Sequence, residues 1–479
     1  MNINKKFIIL IYIIIFISCF GFCDSIIKKE SIIYENLNNS EFNSIKEEEL
    51  LKFIKRKTDV KNINELREKE ELHTALWNTA FDEKIKYKSL IEYKELLINN
   101  SDFLTDNNYK YLNKNQKFLS LLHQNLYPWL YGYKYNSLSD IIKSSNGKGI
   151  VICVPNRYFH LVRNSIDTFR NVLNTTLPIE IFYNNDEDLS MENRKILMKY
   201  NNIYISDISK YFNNDITKIR RWAIKPFAIL ASRFEEVILI DADAFYIKDP
   251  SELFNDSGYI EKGSLFFKDR TLKYTSKRYK FLKSFIINPL PETKELDIWN
   301  KKSNHGIESS TIVIHKTKAL LGLLNVCKLN EQKIRDEVVY KFVYGDKETF
   351  WIGFEMSRQS YSIMPIPCAA IGKIKTSNTK NNKIIKKICG GVDNVAHTLR
   401  NKELLYWNGH IVVDKQKNIN KIGKFEGYYI EDGNTFWTNG HTCLILKDGQ
   451  EPLYFNDNEQ KILNEILNRE KKNNYLTKK

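Results

Sequence analysis

EEVILIDADAFYIKDPSELF spans residues 235–254. Val237 to Ile240 are four successive apolar residues, three of them β-branched, and they run directly into Asp241-Ala242-Asp243. A short, unbroken apolar run of this kind predicts a strand buried on both faces. The polar Asp-x-Asp then falls at the strand's C-terminal end, the edge where open α/β sheets bind ligands. In extended backbone, residues two apart point to one side. Both carboxylates are therefore expected to face one hard divalent cation, Mn²⁺ or Mg²⁺, which prefers oxygen ligands and commonly shares them with substrate phosphates. The expected arrangement is a metal-bridged diphosphate at the end of a central strand. The cation would neutralise charge on a leaving nucleoside diphosphate. The competing reading of Asp-x-Asp is a solvated turn, and Asp249-Pro250 marks where the segment stops.

Working outward, Asn146-Gly147-Lys148-Gly149 reads as a domain boundary. Ile150–Val154 follows as a buried strand, ending at Pro155-Asn156. Leu161, Val162, Ile166, Phe169, Val172 and Leu173 are spaced for one buried helix face. Ile179–Tyr183 reads as a second strand and Asn201–Ser206 as a third. Ile219, Trp222, Ala223, Phe227 and Leu230 are spaced to share a helical face before the Asp-x-Asp strand. This alternation predicts an α/β fold with a central, mostly parallel sheet and right-handed crossovers. No Gly-x-Gly-x-x-Gly or Walker loop occurs, which disfavours a dinucleotide-binding dehydrogenase or a P-loop NTPase.

The first 23 residues carry Lys5-Lys6 and then the uncharged run Phe7–Cys23. As a helix this run spans about 25 Å, slightly short of a hydrocarbon core of about 30 Å. It reads as a signal-anchor or a cleavable signal peptide, and either places the remainder in the secretory lumen or outside. Residues 24–145, rich in Lys, Glu and Asn, read as a helical stem or cap. Residues 146–445 form the expected catalytic domain and 446–479 a charged C-terminal tail. The net charge is +15, but the Lys residues are scattered and no basic block alternates with aromatics, so nucleic acid is not an expected partner. Seven Cys include no Cys-x-x-Cys, which argues against a structural zinc site. The five beyond residue 23 permit at most two disulfides.

Four ordered blocks carry a family resemblance. They are GIVICVPNRYFHLVRNSIDTFRNVLNTTLPIEIFYNNDEDLS (149–190), KPFAILASRFEEVILIDADAFYIKDPSELF (225–254), IESSTIVIHKTKAL (307–320) and YGDKETFWIGF (344–354). The chain resembles the fungal MNN1-type α-mannosyltransferases, glycosyltransferase family 71, over roughly residues 149–415. That resemblance implies a GT-A-like nucleotide-sugar-binding fold and a Golgi single-pass type II membrane protein with its catalytic domain in the lumen. It further implies metal-dependent transfer of mannose from GDP-mannose to a glycan or glycoprotein acceptor, with retention. By the same match Asp241 and Asp243 take the metal and diphosphate roles, and Lys225 is a candidate donor-phosphate contact. Glu308 and Asp346 fall in blocks that line the cleft, and are the candidate catalytic carboxylates. Two departures stand out. Ser310 occupies a position often held by glycine in the family, and Pro155-Asn156-Arg157 replaces a Gly-Asn-Gly.

GT-A enzymes commonly add a late histidine to the metal. His410, after the Asn408-Gly409 turn signal, is the first candidate, followed by His397 and His441. Glu348 and Glu355 are further carboxylates, with helix-cap or surface roles as the ordinary alternative. Phe350 and Trp351 are candidates to stack on a sugar, against core packing. Two other readings stay open: a UDP-sugar enzyme of glycosyltransferase family 8 type, and a non-catalytic lumenal carbohydrate-binding protein.

Overall fold

A computed structural model describes residues 40–81, 89–378, 384–390, 394–409, 411–414, 418–438 and 440–476. The apolar run Phe7–Cys23 lies outside the described residues. Among those described, no helix is long and apolar enough to cross a membrane.

The central sheet contains the expected strands: β1 (Lys148–Cys153), β2 (Ile179–Tyr183), β3 (Ile203–Asp207) and β4 (Glu236–Ile240). They lie parallel in the order β3-β2-β1-β4. Helix α6 (Phe159–Asn171) makes the crossover from β1 to β2. Beyond β4 and a short strand β5 (Ala244–Tyr246), the sheet continues through β6 (Ser264–Lys268), β7 (Ile307–His315) and β8 (Ser362–Ile363). β7 lies antiparallel between β4 and β6, and β8 closes the edge parallel to β6.

Alternate residues of β4 enter different cores. Val237 and Leu239 join one apolar cluster, whereas Ile238 and Ile240 join the other. A period-two backbone between two apolar layers therefore needs apolar residues at every position. The GT-A-like α/β layout is met in this sheet, with Asp-x-Asp directly after β4.

A second, largely antiparallel sheet contains β9 (Ala369–Asn378), β10 (Ile384–Cys389), β11 (Val395–Thr398) and β12 (Leu404–Asn408). β5 pairs with β12, so this sheet begins beside the Asp-x-Asp turn. Cys389 of β10 is disulfide-bonded to Cys443. Cys153, Cys327 and Cys368 are free thiols.

The N-terminal segment is helical but is not a separate stem. Its helices are α1 (Ser40–Lys55), α2 (Ile63–Phe81), α3 (Leu90–Asn100), α4 (Lys114–Leu126) and α5 (Leu138–Lys143). Reciprocal capping starts two of them, Asn113 with Gln116 at α4 and Ser137 with Asp140 at α5. Leu66, Trp77, Leu122 and Trp129 share one apolar core with Phe227, Leu324 and Trp351. Thr74 Oγ1 donates to Ser357 O at 3.0 Å, and Tyr135 OH to Ala231 O at 3.0 Å. Asn146–Gly149 is tied to the approach to β4, with Asn146 N donating to Arg233 O at 2.8 Å and Glu235 N to Gly147 O at 3.0 Å. The charged tail is likewise docked. Helix α10 (Asp457–Leu476) buries Leu463 and Ile466, and Arg469 pairs with Asp167 of α6 at 2.7 Å.

Candidate functional site

β4 ends where Asp241 N donates to Ser310 O at 2.8 Å, the last rung towards β7. Ala244 N then donates to Asp241 O at 3.0 Å, closing a turn over Asp241–Ala244. The expected extended Asp-x-Asp is corrected to a turn, through which the chain leaves β4 of the central sheet and enters β5, which pairs with β12 of the second sheet. Gly409, at φ +136°, donates its N–H to Asp243 O at 3.1 Å and pins the other side of this turn.

Helix α7 (Ile224–Ala231) delivers Lys225 from its first turn. Lys225 Nζ lies 2.8 and 2.9 Å from the two Asp241 carboxylate oxygens. It donates to Ser309 O at 3.1 Å and to Ser309 Oγ at 3.3 Å, and stands 3.7 Å from Asp346 Oδ2. Burial pulls the ammonium's pKa down, but the charges of Asp241 and Asp346 more than offset it and the net shift is upward. Burial pushes Asp241 up; Lys225 opposes this, and the Asp243 and Glu308 charges add to it. Burial also raises Asp346, again opposed by Lys225. Asp346 Oδ2 is buried with no hydrogen-bond partner among the described residues.

Glu308 comes from β7 and is held on both oxygens. Ser310 donates to Oε2 through its N–H, at 2.8 Å, and through its hydroxyl; Asn408 Nδ2 donates to Oε1 at 3.2 Å. Burial raises the Glu308 pKa, and the Ser310 hydroxyl opposes the rise. The serine found where the family often has glycine thus supplies a second donor to this carboxylate. The other departure is also explained locally. Asn156 Oδ1 accepts from Ser190 N and Asn193 Nδ2, both at 2.9 Å, tying the loop after β1 to residues 190–193.

Asp241, Lys225, Asp346 and Glu308 are thus brought together, and Asp243 shares the turn. His410 lies outside the described residues. His397, on β11, is placed against Glu308, with Nε2 3.9 Å from Oε2, and its ring packs on Phe267 and Tyr406. Burial lowers it to about 3, so it is neutral. His441 is only partly buried, at φ +55°. Among the described residues, no group of three or more His, Cys, Asp or Glu is arranged to hold a metal.

Four candidates are reassigned. Phe350 and Trp351, in α9 (Lys347–Met356), are fully buried and present no face to a sugar. Glu348 accepts from Gly306 N at 3.1 Å and from Trp351 Nε1 at 2.6 Å, and Glu355 from Leu290 N at 2.9 Å. Both acids fasten loops to α9. Trp222 is also misplaced by periodicity. It lies in a 3₁₀ turn before α7 and is exposed, not on the buried face. Ser309 and Asn408 were not singled out as site residues. Ser309 lies next to Glu308, and Asn408 begins the Asn-Gly turn signal.

A family model described as "Mannosyltransferase putative" matches residues 147–393, which contain every site residue described so far except Asn408 and the later histidines. The chain belongs to this mannosyltransferase family. It is 28% identical over 320 residues to the Candida albicans protein named "Putative alpha-1,3-mannosyltransferase MNN14", covering 56% of this chain and 45% of that one. It is 28% identical over 319 residues to alpha-1,3-mannosyltransferase MNT3 of Saccharomyces cerevisiae, covering 59% and 49%. The chain spans about half the length of these relatives. Among solved structures it is similar to the bifunctional glycosyltransferase WbbM (12% identity, TM-score 0.31, 46% of this chain and 39% of that one). It is also similar to the galactosyltransferase LgtC (13% identity, TM-score 0.27, 43% and 70%).

Proposed function

We propose that this chain is a mannosyltransferase that moves mannose from GDP-mannose to a glycan acceptor, with a divalent cation and with retention. The observation that carries this reading is Asp241 at the end of β4, gripped by Lys225 in a cleft that also gathers Asp346 and Glu308. Three carboxylates, Asp241, Asp346 and Glu308, act on that ammonium, and like Asp243 they are hard oxygen donors of the kind Mn²⁺ and Mg²⁺ take. The chemistry of these donors suits such a cation, although Lys225 holds both Asp241 oxygens and the described acids alone form no ligand set of three. Asp241 and Asp243 would hold it, with His410 as the proposed third ligand. When bound, the cation offsets charge on the departing diphosphate.

The chain's own residues have distinct tasks in this reading. Lys225 opposes the rise that burial gives Asp241 and orients its carboxylate. Ser310 and Asn408 fix Glu308, which suits it to orient hydroxyls near the anomeric carbon. Asp346 contributes negative charge beside that centre. Attack from the same face as the leaving group requires no protein nucleophile, which is compatible with a Glu308 already occupied on both oxygens. The same reading places the chain in the Golgi lumen, with Phe7–Cys23 as its membrane anchor.

The test is a donor screen on the full chain with an α-mannoside acceptor and Mn²⁺, with and without chelator, beside Asp241→Asn. GDP-mannose turnover that yields an α-linked product and is lost in the variant supports the proposal. Turnover of UDP-glucose, UDP-galactose or UDP-N-acetylglucosamine instead overturns the donor assignment. Glycan binding without turnover, unaffected by Asp241→Asn and chelator, favours a carbohydrate-binding protein.

A further inference from the structure

Two exposed aromatic rings stand beside the carboxylate cluster. Trp222 is 42% exposed and Tyr344 is 62% exposed, and their ring centroids are 5.3 Å apart with planes inclined by 46°. Trp222 lies three residues before Lys225, and Tyr344 two before Asp346. Lys225 and Asp346 themselves are 3.7 Å apart, so both rings are anchored at one point of the cleft.

The backbone holds the rings outward. Arg221 adopts φ +50°, an uncommon conformation for a bulky residue. Strain of this sort concentrates where ligands are gripped. Gly345 is at φ +64°, and a Cβ there would come within 3.0 Å of the Trp222 ring. Glycine meets both demands, the left-handed backbone and the close approach. The loop is also fastened from behind. The buried Arg335 donates to Thr217 O at 3.3 Å and Lys218 O at 3.2 Å, and Arg220 pairs with Asp336 at 2.8 Å.

Single exposed apolar residues need no explanation, but a pre-positioned aromatic pair at the rim of a cleft does. An open aromatic face packs against the apolar C–H face of a pyranose, while the sugar's rim hydroxyls seek polar partners. Asp241, whose side chain is 24% exposed, is such a partner in the adjoining cluster. Tyr344 belongs to the α9 side of the sheet, beyond β4. A nucleotide at the switch between β1 and β4 would lie towards Asn156 and the loop after β2.

We propose that Trp222 and Tyr344 form the stacking platform for the terminal pyranose of the acceptor glycan, with Gly345 as the residue that lets the rings meet. This rests on the transferase reading above. The test uses the full chain as wild type, Trp222→Ala, Tyr344→Ala and Trp222→Phe, with α-mannobiose as the probe. Calorimetry measures α-mannobiose binding without donor, and steady-state kinetics give separate KM values for α-mannobiose and GDP-mannose. The expected result is a KM for α-mannobiose raised about tenfold in each alanine variant, as one lost stacking contact of about 1.4 kcal/mol implies. GDP-mannose KM stays within twofold, and Trp222→Phe recovers most of the loss. An unchanged KM for α-mannobiose overturns the proposal. A rise in GDP-mannose KM by the same factor also overturns it and reassigns the rings to the nucleotide. If the wild type turns over no donor, calorimetry decides. Binding lost in Trp222→Ala keeps the platform while the transferase reading fails, and no binding by the wild type ends both.

Discussion

Lys225 Nζ sits within 2.9 Å of both carboxylate oxygens of Asp241, so one buried ammonium grips the first acid of the Asp-x-Asp turn. It also contacts Ser309 and faces Asp346. Replacing it with Met leaves Asp241, Asp346 and Glu308 without a counter-charge. Breaking a buried pair from one side costs roughly 3–5 kcal/mol. We expect Lys225→Met to lower the urea midpoint and to reduce GDP-mannose turnover by more than a hundredfold. Lys225→Arg is expected to rescue little, because a planar guanidinium does not reproduce three contacts converging on a single nitrogen. Turnover within tenfold of wild type in Lys225→Met would count against this role.

The N-terminal helices complete the core that backs α7. Leu119, Leu122, Leu126 and Trp129 are fully buried, and deletion through residue 145 would remove them while exposing Phe227 and Trp351. Each large apolar side chain newly exposed costs about 1.5–3 kcal/mol. The fragment 146–479 is expected to aggregate on size exclusion and to show no cooperative thermal transition. A soluble, cooperatively melting fragment would restore the picture of a dispensable stem.

Acid should weaken the packing among the N-terminal helices. His73 Nε2 is 3.0 Å from His123 Nδ1, and His123 Nε2 is 2.9 Å from Tyr131 OH. Burial lowers His123 from 6.5 to about 3 and holds His73 well below its usual range. The unfolded chain therefore binds more protons between about pH 6.5 and 3. Stability is whole above that window and falls as pH drops through it, by up to about 1.4 kcal/mol per unit for each histidine. Glu70 has the opposite sign: burial raises it from 4.5 to about 7, so its contribution is lost as pH rises through that range. Asp241, which burial also raises, acts in the direction of Glu70, and His397, which burial lowers, in the direction of the two histidines. The comparison with His123→Phe isolates the ring's part: on going from pH 7 to pH 5 the wild type's urea midpoint should fall further, or rise less, than the variant's. An identical pH slope in the variant would show that these rings do not carry it.

The Cys389–Cys443 disulfide closes a segment with a sequence separation of 54 in the second sheet. Loop-closure entropy predicts roughly 4 kcal/mol for a loop of this length, and measured bridges commonly give 2–4. The double variant Cys389→Ala/Cys443→Ala should lose about 2–4 kcal/mol in urea unfolding. Retained stability would mean that the thiols are not bridged.

The central sheet was legible because burial on both faces favours apolar residues at consecutive positions, and Val237–Ile240 shows this directly; Ile179–Tyr183 keeps the pattern except at Glu180, whose buried carboxylate accepts from the Ser206 hydroxyl at 2.6 Å. Strands β9 and β10 of the second sheet were not legible. β9 and β10 pair Lys375 with Lys387 and Thr376 with Lys386, so no unbroken apolar run marks them. The docked helix α10 was hidden by its charge density, since its buried apolar residues among the described ones are just Leu463 and Ile466, with Glu470 buried beside them. Trp222 fitted a helical period, but a period does not register the left-handed turn at Arg221 that rotates it outward.

Local sequence determined the strand ahead of Asp-x-Asp and the α/β alternation, and it singled out Asp241 and Asp243. Those follow from periodicity and turn chemistry, which act over a few residues, whereas Glu308 and Asp346 were singled out by the family resemblance of the blocks that contain them. Only the tertiary structure decided that Lys225 locks Asp241, that Ser310 and Asn408 clamp Glu308, and which aromatics face solvent. These contacts join residues up to 100 positions apart. They depend on sheet register and on close packing of whole layers, and neither is written in any short stretch of the chain.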